Sequence, residues 1–171
     1  MSVVVRVAER RDFDEIARLT VAAYRADGQL DGEHGYEKVL ADVATRAEHG
    51  DLLVAVDATN GRPLGAVMFV LPGSRFAELS RTGEAEFRTL AVDPAAQRRG
   101  VARALVQACL DRAGALGCSA IVISVRDFSE PAQRLYAGFG FMRWPDADWS
   151  PVEGVQLLAL RLPLRALADQ V

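Results

Sequence analysis

The chain has 171 residues, half of them apolar, and a formal net charge of −3. That length and apolar share suffice for one domain with its own core over residues 1–171, and the acidic balance argues against nucleic acid as a general partner. No apolar run approaches the ~20 residues of a membrane span, and the first residues lack the charged start and continuous apolar stretch of a signal peptide, so a cytoplasmic protein with no membrane partner is expected.

In chain order, Val3 to Val7 reads as a strand. Phe13, Ile16, Thr20 and Tyr24 recur at helical spacing, as do Tyr36, Val39, Leu40, Val43 and Ala47, which predicts two helices separated by the polar turn Asp27-Gly28-Gln29-Leu30-Asp31-Gly32. Leu52 to Val56 and Leu64 to Val70 are strands joined through Asn60-Gly61, a hairpin-type turn. Glu84 to Val92 is a further strand. The helix that begins near Gly100 puts Ala102, Leu105, Val106, Cys109, Ala113 and Leu116 on one face. Ala120 to Val125 is a near-continuous apolar run, as expected of a strand buried on both faces. Ser129 is placed to cap the next helix, with Pro131 in its first turn, where the missing N–H costs little. Phe139 to Arg143 and Val155 to Leu162 close the series as strands. Cys109 and Cys118 give no disulfide framework or metal-ligand spacing and read as core filler. His34 and His49 stand alone, so no metal is expected.

The chemistry concentrates in Leu90-Ala91-Val92-Asp93-Pro94-Ala95-Ala96-Gln97-Arg98-Arg99-Gly100-Val101-Ala102-Arg103. It reads as a strand running into a glycine-containing turn that opens a helix, a geometry that binds a pyrophosphate. Gly100 lets backbone amides approach a ligand, and the unpaired N–H groups of a helix's first turn attract phosphate oxygens. Arg98, Arg99 and Arg103 form the one local basic cluster. A nucleotide-triphosphate loop needs G-x-x-x-x-G-K-[ST], and the only lysine, Lys38, lies far from any such pattern. The nearest dinucleotide fingerprint, Gly138-Phe139-Gly140-Phe141-Met142-Arg143, has Arg143 where the third glycine belongs and follows a helix-like segment. What remains is Gln97-x-x-Gly100-x-Ala102, which resembles the acetyl-coenzyme A signature Q/R-x-x-G-x-G/A of the GNAT superfamily of N-acetyltransferases. Further along, Ala132-Gln133-Arg134-Leu135-Tyr136-Ala137-Gly138-Phe139-Gly140-Phe141 looks like that superfamily's A-x-x-L-Y-x-x-x-G-F segment. The resemblance covers about residues 84 to 141 and elsewhere rests on the order of elements.

The resemblance implies an α/β (α+β) domain: a mixed, mostly antiparallel sheet of about seven strands flanked by about four helices. The sheet would splay between its fourth strand, Glu84 to Val92, and its fifth, Ala120 to Val125. The pantetheine arm of acetyl-CoA would enter that gap and pair with Leu90, Ala91 and Val92, while the amides of Arg98, Arg99, Gly100, Val101, Ala102 and Arg103 hold the pyrophosphate. The implied reaction moves an acetyl group to a primary amine of a small molecule or peptide by direct attack on the thioester. An alkylammonium titrates near ~10.4 and must lose a proton first, for which Glu86 is the candidate base, with Glu84 or a water chain as alternatives. Ser124 stands where another branch of the family carries its base and cannot serve as one. A backbone N–H near Val92 would stabilise the oxyanion. Tyr136 is assigned protonation of the departing thiolate. Ser129 occupies the position where many relatives carry an asparagine that touches pantetheine. Two segments would grip the acceptor: Tyr24, Asp27, Asp31, Glu33, His34 and Tyr36, and Trp144, Asp146, Asp148, Trp149 and Glu153. Acids interleaved with aromatics suit a cationic amine. A homodimer is left open. The competing readings are a non-catalytic acyl-CoA-binding or sensing domain on the same fold, distinguished by whether Glu86 and Tyr136 share one tunnel mouth, and a structural interaction module.

Overall fold

The computed structural model describes residues 2–32 and 35–164. Seven strands form one sheet in the order β1-β2-β3-β4-β5-β7-β6: β1 (Val3–Val7), β2 (Asp51–Asp57), β3 (Pro63–Val70), β4 (Glu84–Val92), β5 (Ala120–Arg126), β6 (Met142–Arg143) and β7 (Leu157–Pro163). Neighbours run antiparallel except β4 and β5, which are parallel. The helices are α1 (Phe13–Ala26), α2 (Tyr36–Ala41), α3 (Val43–His49), α4 (Val101–Ala115) and α5 (Glu130–Gly138). Among the described residues, no helix is long and apolar enough to cross a membrane.

Side-chain alternation divides the core in two. One face of the sheet buries Leu53, Val67, Phe69, Phe87, Ile121 and Ile123 under α4 and α5. Leu105 of α4 is fully buried there, a burial worth about 1.5–3 kcal/mol. The opposite face buries Leu52, Val54, Val56 and Ala66 against Ile16 of α1 and Val43 of α3. Cys109 is part of the first core, and burial pushes its thiol up to about 12, so it is the neutral filler expected. The close approach of α4 to the sheet depends on Gly65: a Cβ there would meet the Ala91 carbonyl and Val101 Cγ1 at 2.8 Å.

Three local expectations are corrected. The periodic run from Tyr36 to Ala47 is two helices, because Asp42 leaves the helical region (φ −82°, ψ 71°) and its carboxylate accepts from the Thr45 amide at 3.3 Å and hydroxyl at 2.6 Å. Five helices therefore flank the sheet where about four are expected. Strand β6 is only Met142–Arg143, since Gly140 turns the chain at φ 98° and Phe141 is buried in the core. Ser129 stands at the N-terminus of α5 without a side-chain cap.

Candidate active site

The sheet opens between β4 and β5. Pairing covers only Glu84 with Ala120, Ala85 with Ile121 and Glu86 with Val122, whereas β4 runs on to Val92 and β5 to Arg126. Past Glu86 the β4 edge facing β5 therefore carries unpaired backbone groups, including those of Leu90, Ala91 and Val92. The divergence coincides with a bulge. Ala66 pairs with Ala91 and Met68 with Arg88, so two steps along β3 oppose three along β4, and Thr89 sits at φ 57°. A β-branched residue in that region stores strain of order 1–3 kcal/mol, and the bulge re-aims the strand beyond it. Nothing in the local sequence signals this bulge.

At the open end of β4 the chain turns through Arg98 (φ 64°) and Gly100 (φ 76°) into α4. Successive backbone amides in such a turn form an anion-binding nest, continued by the first-turn N–H groups of Val101, Ala102 and Arg103. They line a depression of about 200 Å³ that also touches Val92 of β4 and Leu135 of α5, so the nest opens onto the splayed strands. A Cβ on Gly100 would have nothing within 4 Å, so the glycine answers to its dihedral and leaves room for a ligand. The three arginines do not act together. Arg99 turns away to Asp57 at 2.8 Å and holds that carboxyl below the usual aspartate range. Arg103 lies over the Phe139 ring at 5.4 Å, and Arg98 is exposed.

Tyr136, on α5, is 6% exposed. Its ring packs on Phe87 at 5.9 Å and on Phe141 at 5.8 Å between centroids. Burial raises the phenol well above its ordinary value, so it stays protonated throughout the neutral range. Phe87 points toward Tyr136, and its neighbour Glu86 therefore points to the other face, the one carrying the N-terminal helices. Glu86 and Tyr136 thus extend from opposite faces of the sheet beside the splay.

Glu86 is 2% exposed and committed to the β3–β4 loop: its carboxylate accepts from the amides of Glu78, Leu79 and Ser80 at 3.0 Å each. Glu86 is thereby a buried anchor of that loop. Glu84 is equally engaged, accepting from the Arg81 amide at 2.8 Å and pairing with Arg161 at 3.2 Å. Beside Glu86, Arg88 donates to the Phe76 carbonyl at 2.9 Å and pairs with Glu78. The three bonds share Oε1 while Oε2 accepts from the Glu78 amide at 3.2 Å, so glutamine removes the charge that strengthens all of them and sets an NH₂ against the Glu78 amide. We expect Glu86→Gln to lose about 1–3 kcal/mol of stability, seen as a fall of several degrees in Tm together with faster amide exchange at residues 78–80. An unchanged Tm would mean the loop does not depend on this anchor.

The segments expected to grip an acceptor flank the Glu86 face, and two of their acids, Asp27 and Asp148, are already engaged. Tyr24 and Tyr36 lie 6.1 Å apart. Asp27 accepts from Ser129 Oγ at 3.2 Å, joining the end of α1 to the start of α5. Trp149 donates from Nε1 to Ser124 at 3.1 Å, so the β6–β7 segment reaches the splay, whereas Asp148 is held by Arg143 at 2.7 Å. Arg46 of α3, 4% exposed, donates to the Leu40 carbonyl at 2.7 Å. Composition gave no hint that arginines would share this region. Glu33 and His34 lie outside the described residues.

Known proteins resemble this chain in sequence and in fold. The model of the acetyltransferase (GNAT) family matches residues 13–141. A mycothiol acetyltransferase from Nocardioides sp. is 26% identical over 152 residues, 81% of this chain and 49% of that protein, so the chain spans about half the length of this curated relative. The fold is similar to that of an acetyltransferase of the GNAT family from Staphylococcus aureus Mu50 (TM-score 0.74, 11% identity, covering 96% of this chain and 100% of that one). It is also similar to the structure from Salmonella typhimurium described as an acetyltransferase with its cofactor acetyl-CoA (TM-score 0.68, 22% identity, 96% and 95% covered).

Proposed function

The chain belongs to the acetyltransferase (GNAT) family, and we propose that it moves an acetyl group from acetyl-CoA to a primary amine of a small molecule or peptide by direct attack on the thioester. One observation carries the proposal: the amide nest at Gly100 opens onto the free edge of β4, with Tyr136 packed against the same strand. The amides of Arg98, Arg99, Gly100, Val101, Ala102 and Arg103 would hold the pyrophosphate. Leu90, Ala91 and Val92 would pair with the amides of the pantetheine arm as an added strand. Ser129 would reach that arm by exchanging its bond to Asp27. A backbone N–H of the bulged segment ending at Val92 would stabilise the oxyanion.

Tyr136 would give its proton to the departing thiolate. A free thiol titrates near ~8.5, far below the raised phenol, but a sulfur released between the splayed strands is disfavoured as an anion by the same burial. Both groups move upward together, and transfer stays accessible. The unpaired thiols of Cys109 and Cys118 support a reducing, cytoplasmic setting.

Thiol release from acetyl-CoA, followed across a panel of polyamines, amino-acid derivatives and peptide N-termini, tests the reading. We expect amine-dependent release well above the rate without protein. Tight acetyl-CoA binding by calorimetry with no release from any amine would replace it with a non-catalytic acyl-CoA-binding domain.

A further inference from the structure

We propose that Glu78, on the loop between β3 and β4, takes the proton from the acceptor ammonium, with Glu86 and Arg88 positioning it. This inference rests on the acetyltransferase reading above and names a catalytic group for it.

A base must present a carboxylate oxygen on the acceptor side, near the end of the acyl arm. Glu86 meets three loop amides and Glu84 meets Arg81 and Arg161, so neither carboxylate is available. Ser124 is a hydroxyl already serving Trp149. Glu78 differs. Its backbone amide is pinned to Glu86 at 3.0 Å, its carboxylate is held at one oxygen by Arg88, and its side chain keeps 29% of its surface accessible. The second oxygen has no hydrogen bond among the described residues.

The placement follows from residue order along β4. An acyl arm that starts at the Gly100 nest and follows the free edge through Val92, Ala91 and Leu90 ends at Thr89 and Arg88, two residues short of Glu86, where pairing with β5 resumes. Arg88 is the residue that holds Glu78. Arg88 also shares its surroundings with Tyr24 of α1, Tyr36 of α2 and Arg46 of α3, the helices expected to grip the acceptor. The charged groups acting on Glu78 itself are Arg88 and Glu86, both from β4. Burial outweighs the Arg88 ion pair and carries the Glu78 carboxyl above the ordinary glutamate value, which makes its carboxylate a stronger base.

The step balances. The ammonium gives one proton to the Glu78 carboxylate, which passes it to solvent. The amine lone pair then forms the C–N bond, and the C–S bond breaks with its electron pair on sulfur. Sulfur takes the Tyr136 proton, and the phenolate is reset by the second proton shed from nitrogen.

The test compares wild type, Glu78→Gln and Glu78→Asp by kcat against pH, with an amine that the wild type acetylates. A base must be ionised to act, so wild-type kcat should rise with pH through an acid limb above the ordinary ~4.3 of glutamate. Glu78→Gln should lose about 10²-fold in kcat and lose the limb, with the KM for acetyl-CoA within twofold. Glu78→Asp, which keeps the carboxylate, should recover part of the loss and retain a limb. The proposal is overturned if Glu78→Gln, or Glu78→Ala should the glutamine variant not fold, keeps more than half of wild-type kcat with the limb unmoved. Absence of thiol release from the wild type with every amine removes the acetyltransferase reading itself, and this inference with it.

Discussion

Tyr136→Phe should lower kcat about a hundredfold while acetyl-CoA affinity and thermal stability stay near wild type. The substitution keeps the ring that packs on Phe87 and Phe141 and deletes only the phenolic oxygen. That oxygen has no hydrogen bond to the protein among the described residues, so its removal leaves no buried donor or acceptor without a partner. The expected loss falls on kcat because the proton moves only as the C–S bond breaks. A second consequence follows from the raised phenol: no alkaline limb attributable to Tyr136 should appear below about pH 10, the ordinary tyrosine value. Stopped-flow thiol release separates chemistry from product release. Retention of more than half of wild-type kcat in the chemical step would make Tyr136 a packing residue.

Gly100→Val should weaken acetyl-CoA binding at least tenfold, about 1.4 kcal/mol, in a protein that still folds. A valine Cβ at Gly100 would meet no neighbour within 4 Å, so packing does not suffer. The damage comes from φ 76°, where a β-branched residue costs about 1–2 kcal/mol. Relief of that strain rotates the amides of Arg98 to Val101 away from their common focus, and any side chain projecting into the open space competes with the ligand. Calorimetric titration with acetyl-CoA measures the loss, and circular dichroism shows that the fold is intact. Undiminished affinity in the folded variant would move the pyrophosphate elsewhere.

The legible part of this protein is the part encoded at short range. Helical and strand periodicities, the Asn60-Gly61 turn and the Gly100 turn each depend on residues within a few positions of one another, and the structure places them at or near their expected limits. The Gln97-to-Ala102 and Ala132-to-Phe141 segments pointed to the family for the same reason, since each is a contiguous stretch whose residue types answer to one local geometry. Even there, a polar residue with a choice of partners misled: Asp42 turned from helix interior to cap and broke one predicted helix into two.

The candidate site needed the fold. Whether a carboxylate is a base or an anchor depends on which donors the chain brings back to it, and Glu86 meets the amides of a loop whose return path no periodicity specifies. The side chain of Arg99, in sequence part of the one basic cluster, pairs with Asp57 on another strand, and Ser129 finds Asp27 across the open end of the sheet. The bulge at Thr89 exists because β3 and β4 pair out of step, a property of two strands jointly. Apolar residues are interchangeable enough that their spacing alone dictates which face is buried. A buried charge must be matched by a particular partner at hydrogen-bond distance, and which partner arrives is decided only when distant segments pack together.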